Sequence, residues 1–386
     1  MTKPFLTVDA HEDLAWNMLT FGRDYTQNNT AIRASERDTE TPTHNGDTLL
    51  GWDVYQRGKV ALVFATLFSA PLRKKEGDWD TQCYRDVKEA HTLYQNQLDA
   101  YHRLTDDHPD KFRLVTSQGE LANHLTEWEN APDWPEPVSE EEASQMGSPA
   151  EDENRPPVGL VVLMEGAEGV RDIDELPEWW AGGVRLIGPA WAGNRFCGGT
   201  HEPGPLTDEG RLLLEGMADT GFVLDISHMD IPAALESLDR YESTVIASHA
   251  NPLAMMPRSD SNRFLPDEVI EGLIERGGVI GIVPFNLFLD PTWTTGMRRE
   301  LVSVEKVAAH IDYICQIAGD ARHVGIGSDF DGGFGWQSIP HEMNTAADLH
   351  MLAPLLADKG YSDEDLSGIF GQNWLGVIQS ALPEAA

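Results

Sequence analysis

Cysteine is scarce in this chain: Cys83, Cys197 and Cys315 lie far apart and without CxxC spacing. An odd number at such distances predicts no disulfide framework and favours a reducing compartment. Long apolar runs are also lacking, so no stretch reaches the length of a transmembrane helix or of a lipid-anchor tail. The first residues, MTKPFLTVDAHEDL, lack the apolar run of a signal peptide. We therefore expect a cytoplasmic protein.

Positive charge is scarce as well. The 386 residues include 28 Lys plus Arg against 64 Asp plus Glu, which gives a formal net charge of −36. Such a surface repels phosphate backbones and anionic lipid, so neither nucleic acid nor a membrane surface is an expected partner. Apolar residues make up 41% of the chain, which suffices for a sizeable core. The composition therefore predicts a globular protein.

Short apolar runs recur along the chain, and helical patterns lie between several of them. The runs are Phe5–Val8, Val60–Phe68, Gly159–Met164, Val184–Ile187, Phe222–Ile226, Thr244–Ser248, Val279–Val283 and Val324–Gly327. They lack polar alternation, as strands of a parallel sheet covered on both faces do. Eight strands alternating with helices predict an α/β fold, the (β/α)₈ TIM barrel with loop insertions; a doubly wound open sheet is the alternative.

Two helices have clear boundaries. One is Thr207–Thr220, with Thr207 as N-cap and a stop at Gly221; the other is Pro266–Arg276. The polar segment Tyr25–Thr48 predicts a loop near the mouth of the barrel. Residues 127–157, rich in Pro, Glu and Ser, predict an exposed insertion. We expect residues 1–386 to form a single barrel domain.

Histidines and carboxylates stand where the predicted strands end. In an extended segment residues i and i+2 point the same way, so His11 and Asp13 project together. The carboxyl ends of barrel strands face one site, where these side chains can converge. The candidates are His11, Asp13, Glu165, His228, His249 and Asp329. Asp331 is expected to hold a turn through its own hydrogen bonds.

This donor set indicates a metal centre. Zinc takes nitrogen and oxygen ligands, and a shared carboxylate commonly holds two divalent ions about 3.5 Å apart. Such a pair can share a hydroxide that is nucleophilic at neutral pH. Zinc, manganese and cobalt all bind to nitrogen and oxygen ligands. The sequence does not decide between these metals, and zinc is the metal we expect.

The segments around these residues resemble, in order, the motifs of the membrane (renal) dipeptidase family of the amidohydrolase superfamily. They are VDAHEDLAWN, LMEGAEGV, GVRLIGPAW, LTDEGRLLLEGMADTGFVLDISHMD, VIASHANP, NRFLPDEVIEGLIERGGVIGI, HVGIGSDFDG and GQNWLGVI. The resemblance runs from about Val8 to Ile378 and implies a zinc-dependent hydrolase on a (β/α)₈ barrel.

The resemblance also implies roles for single residues. His11 and Asp13 correspond to ligands of a first zinc, and His228 and His249 to ligands of a second. Glu165 corresponds to the carboxylate that bridges both ions, and Asp329 to the general acid/base. Arg263 corresponds to the arginine that grips the substrate's C-terminal carboxylate, a role that suits its forked geometry; a surface arginine at a helix start is the alternative.

One position departs from the family pattern. Members carry a histidine that steadies the oxyanion, in a Leu-Thr-His-Asn-like stretch, and Trp191 stands there in this chain. Either the Trp191 indole lies in the substrate site, or it only packs near the mouth while Asn194 or His201 supplies the hydrogen-bond donor. The sequence leaves both open.

The resemblance implies a dipeptidase that cleaves a small dipeptide-like substrate with two divalent metal ions. Three alternatives remain: an N-acyl amino acid deacylase, a lactone or cyclic amide hydrolase, and a barrel that only binds its ligand. A requirement for a free carboxylate separates the first function from its siblings, since Arg263 serves a substrate that has one. A homodimer is compatible with the sequence.

Overall fold

Eight parallel strands form a nearly closed barrel in the computed structural model, which describes residues 5–132, 155–257 and 259–384. They are β1 (Thr7–Glu12), β2 (Val60–Phe68), β3 (Val158–Glu165), β4 (Val184–Gly188), β5 (Val223–Asp225), β6 (Val245–Ile246), β7 (Ile280–Ile282) and β8 (Val324–Ile326). Their order around the sheet is β7-β8-β1-β2-β3-β4-β5-β6. A parallel bridge from Ala247 to Ile280 joins the ends of this order. The TIM barrel is confirmed, and the open sheet is excluded.

Helices surround these strands and fill the connections between them. The described α-helices are α1 (Leu14–Thr20), α2 (Asn29–Glu36), α3 (Thr41–Asn45), α4 (Trp52–Arg57), α5 (Val87–Asp107), α6 (Gln118–Glu129), α7 (Leu176–Ala181), α8 (Asp208–Thr220), α9 (Ile231–Arg240), α10 (Asp267–Glu275), α11 (Asn286–Leu289), α12 (Glu305–Ala318), α13 (Leu352–Asp358), α14 (Asp363–Ser367) and α15 (Asn373–Ala381). Both predicted helices are present: Thr207 caps α8 by accepting from the Gly210 N–H, and Gly221 ends it with φ 105°. Pro266 precedes α10.

Shorter elements complete the frame. The strand Phe112–Leu114 adds in parallel to β3, and Ala70–Pro71 pairs with Cys83–Tyr84 just after β2. The 3₁₀ turns are Leu72–Lys74, Ala167–Gly169, Ile173–Glu175, Leu253–Met255, Arg299–Leu301, Trp336–Ser338 and Ala346–Met351, and Gly368–Gln372 is a π-helical turn. None of the described helices is both long enough and apolar enough to cross a bilayer.

The strands lack polar alternation because both of their faces are buried. Alternate residues such as Leu62, Phe64 and Leu163 belong to one buried cluster, and the residues between them pack with the helices in a second. Trp374 from the final helix joins the first cluster and donates its indole N–H to the Ile326 carbonyl at 2.9 Å. The side chains inside the barrel therefore form a packed floor beneath the carboxyl ends of the strands.

Two predicted segments differ from the structure. The first strand is Thr7–Glu12 rather than Phe5–Val8, so His11 lies within it. Tyr25–Thr48 is not simply a loop, because it contains α2 and α3. Of the predicted insertion, residues 133–154 lie outside the described residues, so this call stays a prediction.

Candidate active site

The six predicted side chains converge at the carboxyl end of the barrel. His11 lies in β1 and Asp13 follows that strand, whereas Glu165 is the last residue of β3. His228, His249 and Asp329 follow the ends of β5, β6 and β8, in turn. All except His11 line a cavity of about 250 Å³, and His11 is buried against them. Five separate strands thus supply one cluster.

Glu165 lies between two sets of ligand atoms. Its Oε2 is 3.6 Å from Nε2 of His11. Its Oε1 is 3.0 Å from Nε2 of His228 and 3.5 Å from Nε2 of His249. The two oxygens of one carboxylate therefore face different histidines, as a carboxylate shared between two cations requires.

The donor set fits divalent cations. Within the described part of the chain, His11 Nε2 and Asp13 Oδ1 are buried without a hydrogen-bond partner, a costly state that a bound ion relieves. Three groups have all their ligand atoms within 4.8 Å of one another: His11, Asp13 and Glu165; Glu165, His228 and His249; and His11, His249 and Asp329. Imidazole nitrogens and carboxylate oxygens are zinc ligands. Glu165 belongs to the first two groups.

Electrostatics point the same way. Burial lowers the pKa of His11, but the carboxylates of Glu165, Asp13 and Asp329 outweigh it and raise that pKa to about 10. Burial, reinforced by Glu165, raises the pKa of Asp13 to about 7. Burial also lowers the pKa of His228 to about 4. The raised pKa of His11 shows that the crowded carboxylates attract positive charge, whereas His228 beside them resists protonation. Divalent ions can supply the positive charge that this site attracts.

A hydrogen-bond network beneath the cluster fixes the histidines. Asp225, the last residue of β5, accepts from Ser227 Oγ at 2.6 Å and from Ser248 Oγ at 2.5 Å. Because the Ser248 hydroxyl donates to Asp225, it accepts from Nδ1 of His249 at 2.8 Å. This leaves Nε2 of His249 unprotonated and able to bind a cation. Asp225 is not among the residues predicted from the sequence, although a serine directly precedes both His228 and His249.

Ser248→Ala is therefore expected to weaken metal binding by about 10- to 100-fold, because it removes the partner that holds the His249 ring. Turnover at saturating metal should change much less. Competition with a chromogenic chelator measures the affinity. Ser237→Ala is the matched control, since it deletes a buried hydroxyl that bonds only within α9, to the Ala233 carbonyl. Equal metal affinities in the two variants would contradict the positioning role of Ser248.

Asp329 is held in an unusual backbone conformation beside the cluster. Its φ is 56°, in the left-handed region, and its N–H donates to the His11 carbonyl at 3.1 Å. Its Oδ1 lies 3.9 Å from Nε2 of His11. Burial, together with Asp13 and Glu165, raises the pKa of Asp329 well above its ordinary value. A carboxyl group so perturbed in a cleft is suited to transferring protons.

Comparison with known proteins decides the family. The family model described as membrane dipeptidase (peptidase family M19) matches residues 142–385. The chain belongs to the membrane dipeptidase family. It is thus an enzyme of the metallopeptidase class. The matched stretch contains Glu165, His228, His249 and Asp329 and begins after His11 and Asp13.

Individual relatives support this family assignment. An uncharacterised protein of Klebsiella pneumoniae, encoded in the pqqA 5′ region, is 32% identical over 233 residues, which cover 58% of this chain and 82% of that protein. Dipeptidase aclJ of Aspergillus oryzae is 31% identical over 175 residues, which cover 45% of this chain and 39% of that protein. The second match thus spans less than half of the fungal enzyme.

Solved structures share the fold over the whole chain. The metallopeptidase called dipeptidase AC is 21% identical and superposes with a TM-score of 0.72, covering 100% of both chains. A metallopeptidase from Rhodobacter sphaeroides, liganded with a phosphinate mimic of the dipeptide L-Ala-D-Ala, is 20% identical with a TM-score of 0.73, covering 99% of this chain and 100% of that chain. The barrel is therefore the fold of M19 metallopeptidases.

The loop after β4, where this chain departs from the family pattern, brings Trp191 to the cavity but not Asn194. The Trp191 ring lines the cavity, 5.1 Å from the ring of Phe68 and 6.2 Å from that of His228. The Asn194 amide donates to the Pro189 carbonyl at 2.8 Å and accepts from nearby backbone N–H groups. Asn194 therefore stabilises the loop and does not line the cavity.

A second cavity, of about 470 Å³, adjoins the first and shares Trp191, His228 and Asp329 with it. Apolar side chains form much of its wall: Met256, Phe264, Phe285, Leu287, Phe288, Trp293 and Phe334. Arg263 and the exposed His201 also line it. The cluster of histidines and carboxylates thus lies between two cavities of different character.

Arg263 is buried, with 4% of its surface exposed, which excludes the surface arginine considered above. Its Nη1 donates to the Ser227 carbonyl at 2.9 Å and its Nη2 to the His249 carbonyl at 2.7 Å. The guanidinium also lies 5.4 Å from the centre of the Phe288 ring. Arg263 therefore ties together the two loops that carry the histidines, and its remaining N–H groups are free for a ligand.

The expectation that Asp331 holds its own turn is wrong, because among the described residues the partners of its carboxylate come from a distant segment. Its buried carboxylate accepts from Tyr25 Oη at 2.9 Å, from Thr48 Oγ1 at 2.6 Å and from Leu49 N–H at 2.9 Å. Arg23 adds an ion pair at 3.0 Å. Asp331 thus anchors the segment that contains these four partners at a point two residues from Asp329. The partners are too distant in sequence for these contacts to be predicted from the sequence alone.

Proposed function

We propose that this protein hydrolyses the amide bond of dipeptides, using two divalent metal ions, with zinc as the first choice. His11 and Asp13 would hold one ion, His228 and His249 would hold the other, and Glu165 would be shared between them. The observation that carries this proposal is the placing of Glu165, whose two oxygens face separate histidine sets at 3.6 Å and 3.0 Å. Two divalent ions bound in this way would activate a water molecule and polarise the scissile carbonyl.

The chain's own residues supply proton transfer and orientation. Asp329 lines both cavities beside the ligand cluster, so it can reach a water and a leaving amine placed there. Its raised pKa lets the carboxyl carry the proton that the leaving amine must receive. Trp191 lines both cavities as well and contributes apolar surface next to the scissile bond.

Arg263 is the proposed partner of the substrate's terminal carboxylate. It lines the larger cavity, where its free N–H groups can receive a carboxylate at the edge of the aromatic wall. The C-terminal residue of the dipeptide therefore lies in this cavity and the N-terminal residue in the smaller one. The apolar wall favours a large apolar side chain at the C-terminal position.

Arg263→Ala is expected to raise KM for free dipeptides by about 100-fold while leaving KM for dipeptide amides nearly unchanged, because only the free acid loses a partner. It should also lower Tm, since two buried carbonyls lose their donors. Arg276→Ala is the control: Arg276 likewise binds only backbone carbonyls, those of Leu238, Tyr241 and Ser243. It should lower Tm and leave KM unchanged. A wild type that accepts amides and acids equally contradicts the carboxylate grip.

The activity itself is tested on purified protein loaded with zinc, manganese or cobalt. The panel contains L,L and L,D dipeptides, the latter because the Rhodobacter relative binds a mimic of L-Ala-D-Ala, together with N-acyl amino acids and lactones. We expect hydrolysis of dipeptides with a free C-terminus and about two ions per chain. Turnover of N-acyl amino acids or lactones in preference to dipeptides would replace the dipeptidase with a sibling amidohydrolase.

A further inference from the structure

The smaller cavity holds a carboxylate that the proposed reaction does not use. Asp80 lines this cavity and is only 6% exposed. Its Oδ2 accepts from the Cys83 thiol at 3.1 Å and weakly from the Glu76 N–H at 3.4 Å. Among the described residues no hydrogen bond reaches its Oδ1, and no cation pairs with it. A buried carboxylate without a cation is costly.

The cations nearest in the wall are already paired. Lys74, which also lines the cavity, lies 3.2 Å from Glu202. Arg73 binds the same Glu202 carboxylate at 2.6 Å and donates to the Gly193 carbonyl. Glu202 therefore holds Arg73 and Lys74, and Lys75, the third cation of this loop, is exposed and does not line the cavity. Among the described residues no cation forms an ion pair with Asp80, so a cationic ligand in the cavity can supply its counter-charge.

Aromatic rings surround the same space. Trp16, Phe68, Trp79 and Trp191 line it together with His44. The Trp16 ring centre is 6.3 Å from that of Trp79 and 6.4 Å from that of Phe68, and His44 stacks on Trp79 at 4.5 Å. Ring faces beside a carboxylate bind ammonium and guanidinium groups, because the ring quadrupole attracts a desolvated cation.

The wall is also preorganised. The paired strands Ala70–Pro71 and Cys83–Tyr84 close the loop that carries Asp80. Gln97 from α5 accepts from the Phe68 N–H at 2.8 Å and donates back to the Phe68 carbonyl, which fixes the end of β2. A rigid carboxylate loses little side-chain entropy when a cation binds.

We propose that the smaller cavity receives a cationic side chain, such as that of lysine or arginine, on the N-terminal residue of the substrate. The proposal rests on the proposed dipeptidase function, in which Arg263 binds the C-terminal carboxylate on the far side of the shared His228 and Asp329. The N-terminal residue then lies on the side of Asp80. Asp80 and the rings around it thus determine specificity for a basic N-terminal residue.

The test compares Lys-Ala with norleucyl-Ala, which has the same carbon chain without the ammonium group. It also compares Arg-Ala with citrullyl-Ala, which matches arginine in shape without its charge. Wild type should prefer the cationic member by about 30-fold or more in kcat/KM. Asp80→Asn, which keeps the shape, should abolish the preference by slowing cleavage of the cationic member alone. Asp78→Asn is the matched control: it removes the same charge from an exposed position of the same loop and should keep the preference.

A second variant leaves the carboxylate in place. Trp79→Leu should reduce the preference for Lys-Ala by about 3- to 10-fold, because the aromatic wall around Asp80 loses one of its rings. Equal turnover of charged and neutral substrates by wild type overturns the proposal. So does an Asp80→Asn variant that slows every substrate alike, since that result assigns Asp80 to the α-ammonium group or to the fold.

Direct binding separates this proposal from the dipeptidase function. Calorimetric titration with L-lysinamide and L-norleucinamide, using the metal-loaded protein, requires no hydrolysis. If L-lysinamide binds more tightly than L-norleucinamide and Asp80→Asn removes this difference, the cation site is supported even when no dipeptide is cleaved. Equal affinities for the two amides reject the site even if dipeptides are cleaved.

Discussion

Glu165→Ala is expected to release both divalent ions together and to lower kcat/KM by on the order of 10³-fold or more. Glu165 is the residue shared by the group around His11 and the group around His228 and His249. Removing it leaves each of these groups with only two side chains that can bind a cation. Metal analysis after gel filtration measures the loss directly.

Glu168→Ala provides the control for that experiment. Glu168 lies on the same loop after β3 and is also buried, but it accepts from the Arg195 N–H rather than joining the ligand cluster. It should therefore keep the metal content of wild type. If Glu165→Ala retains one ion at full occupancy, or loses neither, the bridged pair is wrong and the two histidine groups act independently.

Asp329→Asn is expected to lower kcat by about 10²- to 10⁴-fold while both ions remain bound. The amide keeps the size of the carboxyl group and its left-handed turn, which asparagine tolerates well, but it cannot carry the proton. The loss should therefore appear in kcat, with little change in KM or Tm. Metal content, thermal unfolding and steady-state kinetics of the same preparation distinguish these effects.

Loss of metal from Asp329→Asn would point to a different role, because Asp329 also forms a group with His11 and His249. In that case the residue is a ligand, and its replacement should resemble Glu165→Ala. Near-normal turnover in a variant with full metal content would remove Asp329 from the reaction altogether. The three outcomes differ in two measured quantities, so none can be mistaken for another.

The sequence predicted the barrel well because its strands are buried on both faces. Continuous apolar runs such as Val60–Phe68 and Gly159–Met164 leave little freedom in where a strand lies. The first strand was misplaced because the polar His11 and Glu12 read as the end of a strand, whereas their side chains are buried by partners from distant segments. Glu12, for example, accepts from Tyr55 Oη at 2.5 Å.

The candidate ligands could be predicted for a similar reason: each lies near or just after the carboxyl end of a strand, and barrel strands end at one site. The roles of Asp331 and Arg263 could not be predicted, because they depend on contacts between segments that are distant in the sequence. Asp331 binds Tyr25 and Thr48, and Arg263 binds the carbonyls of Ser227 and His249. Asp80 belongs to no sequence motif, and only the fold places it among aromatic rings.

The pairing of β1 with β8, the first and last strands of the barrel, affects the order in which the protein folds during synthesis. Asp9 pairs with Ile326, and Glu12 bridges Phe330. A ribosome therefore releases His11 and Asp13 on the order of tens of seconds before Asp329 emerges, at usual rates of synthesis. Until then β1 has an unpaired edge, the kind that invites aggregation. We therefore expect metal to bind only after β8 has closed the barrel, and a chain truncated before β8 to lose the whole centre rather than part of it.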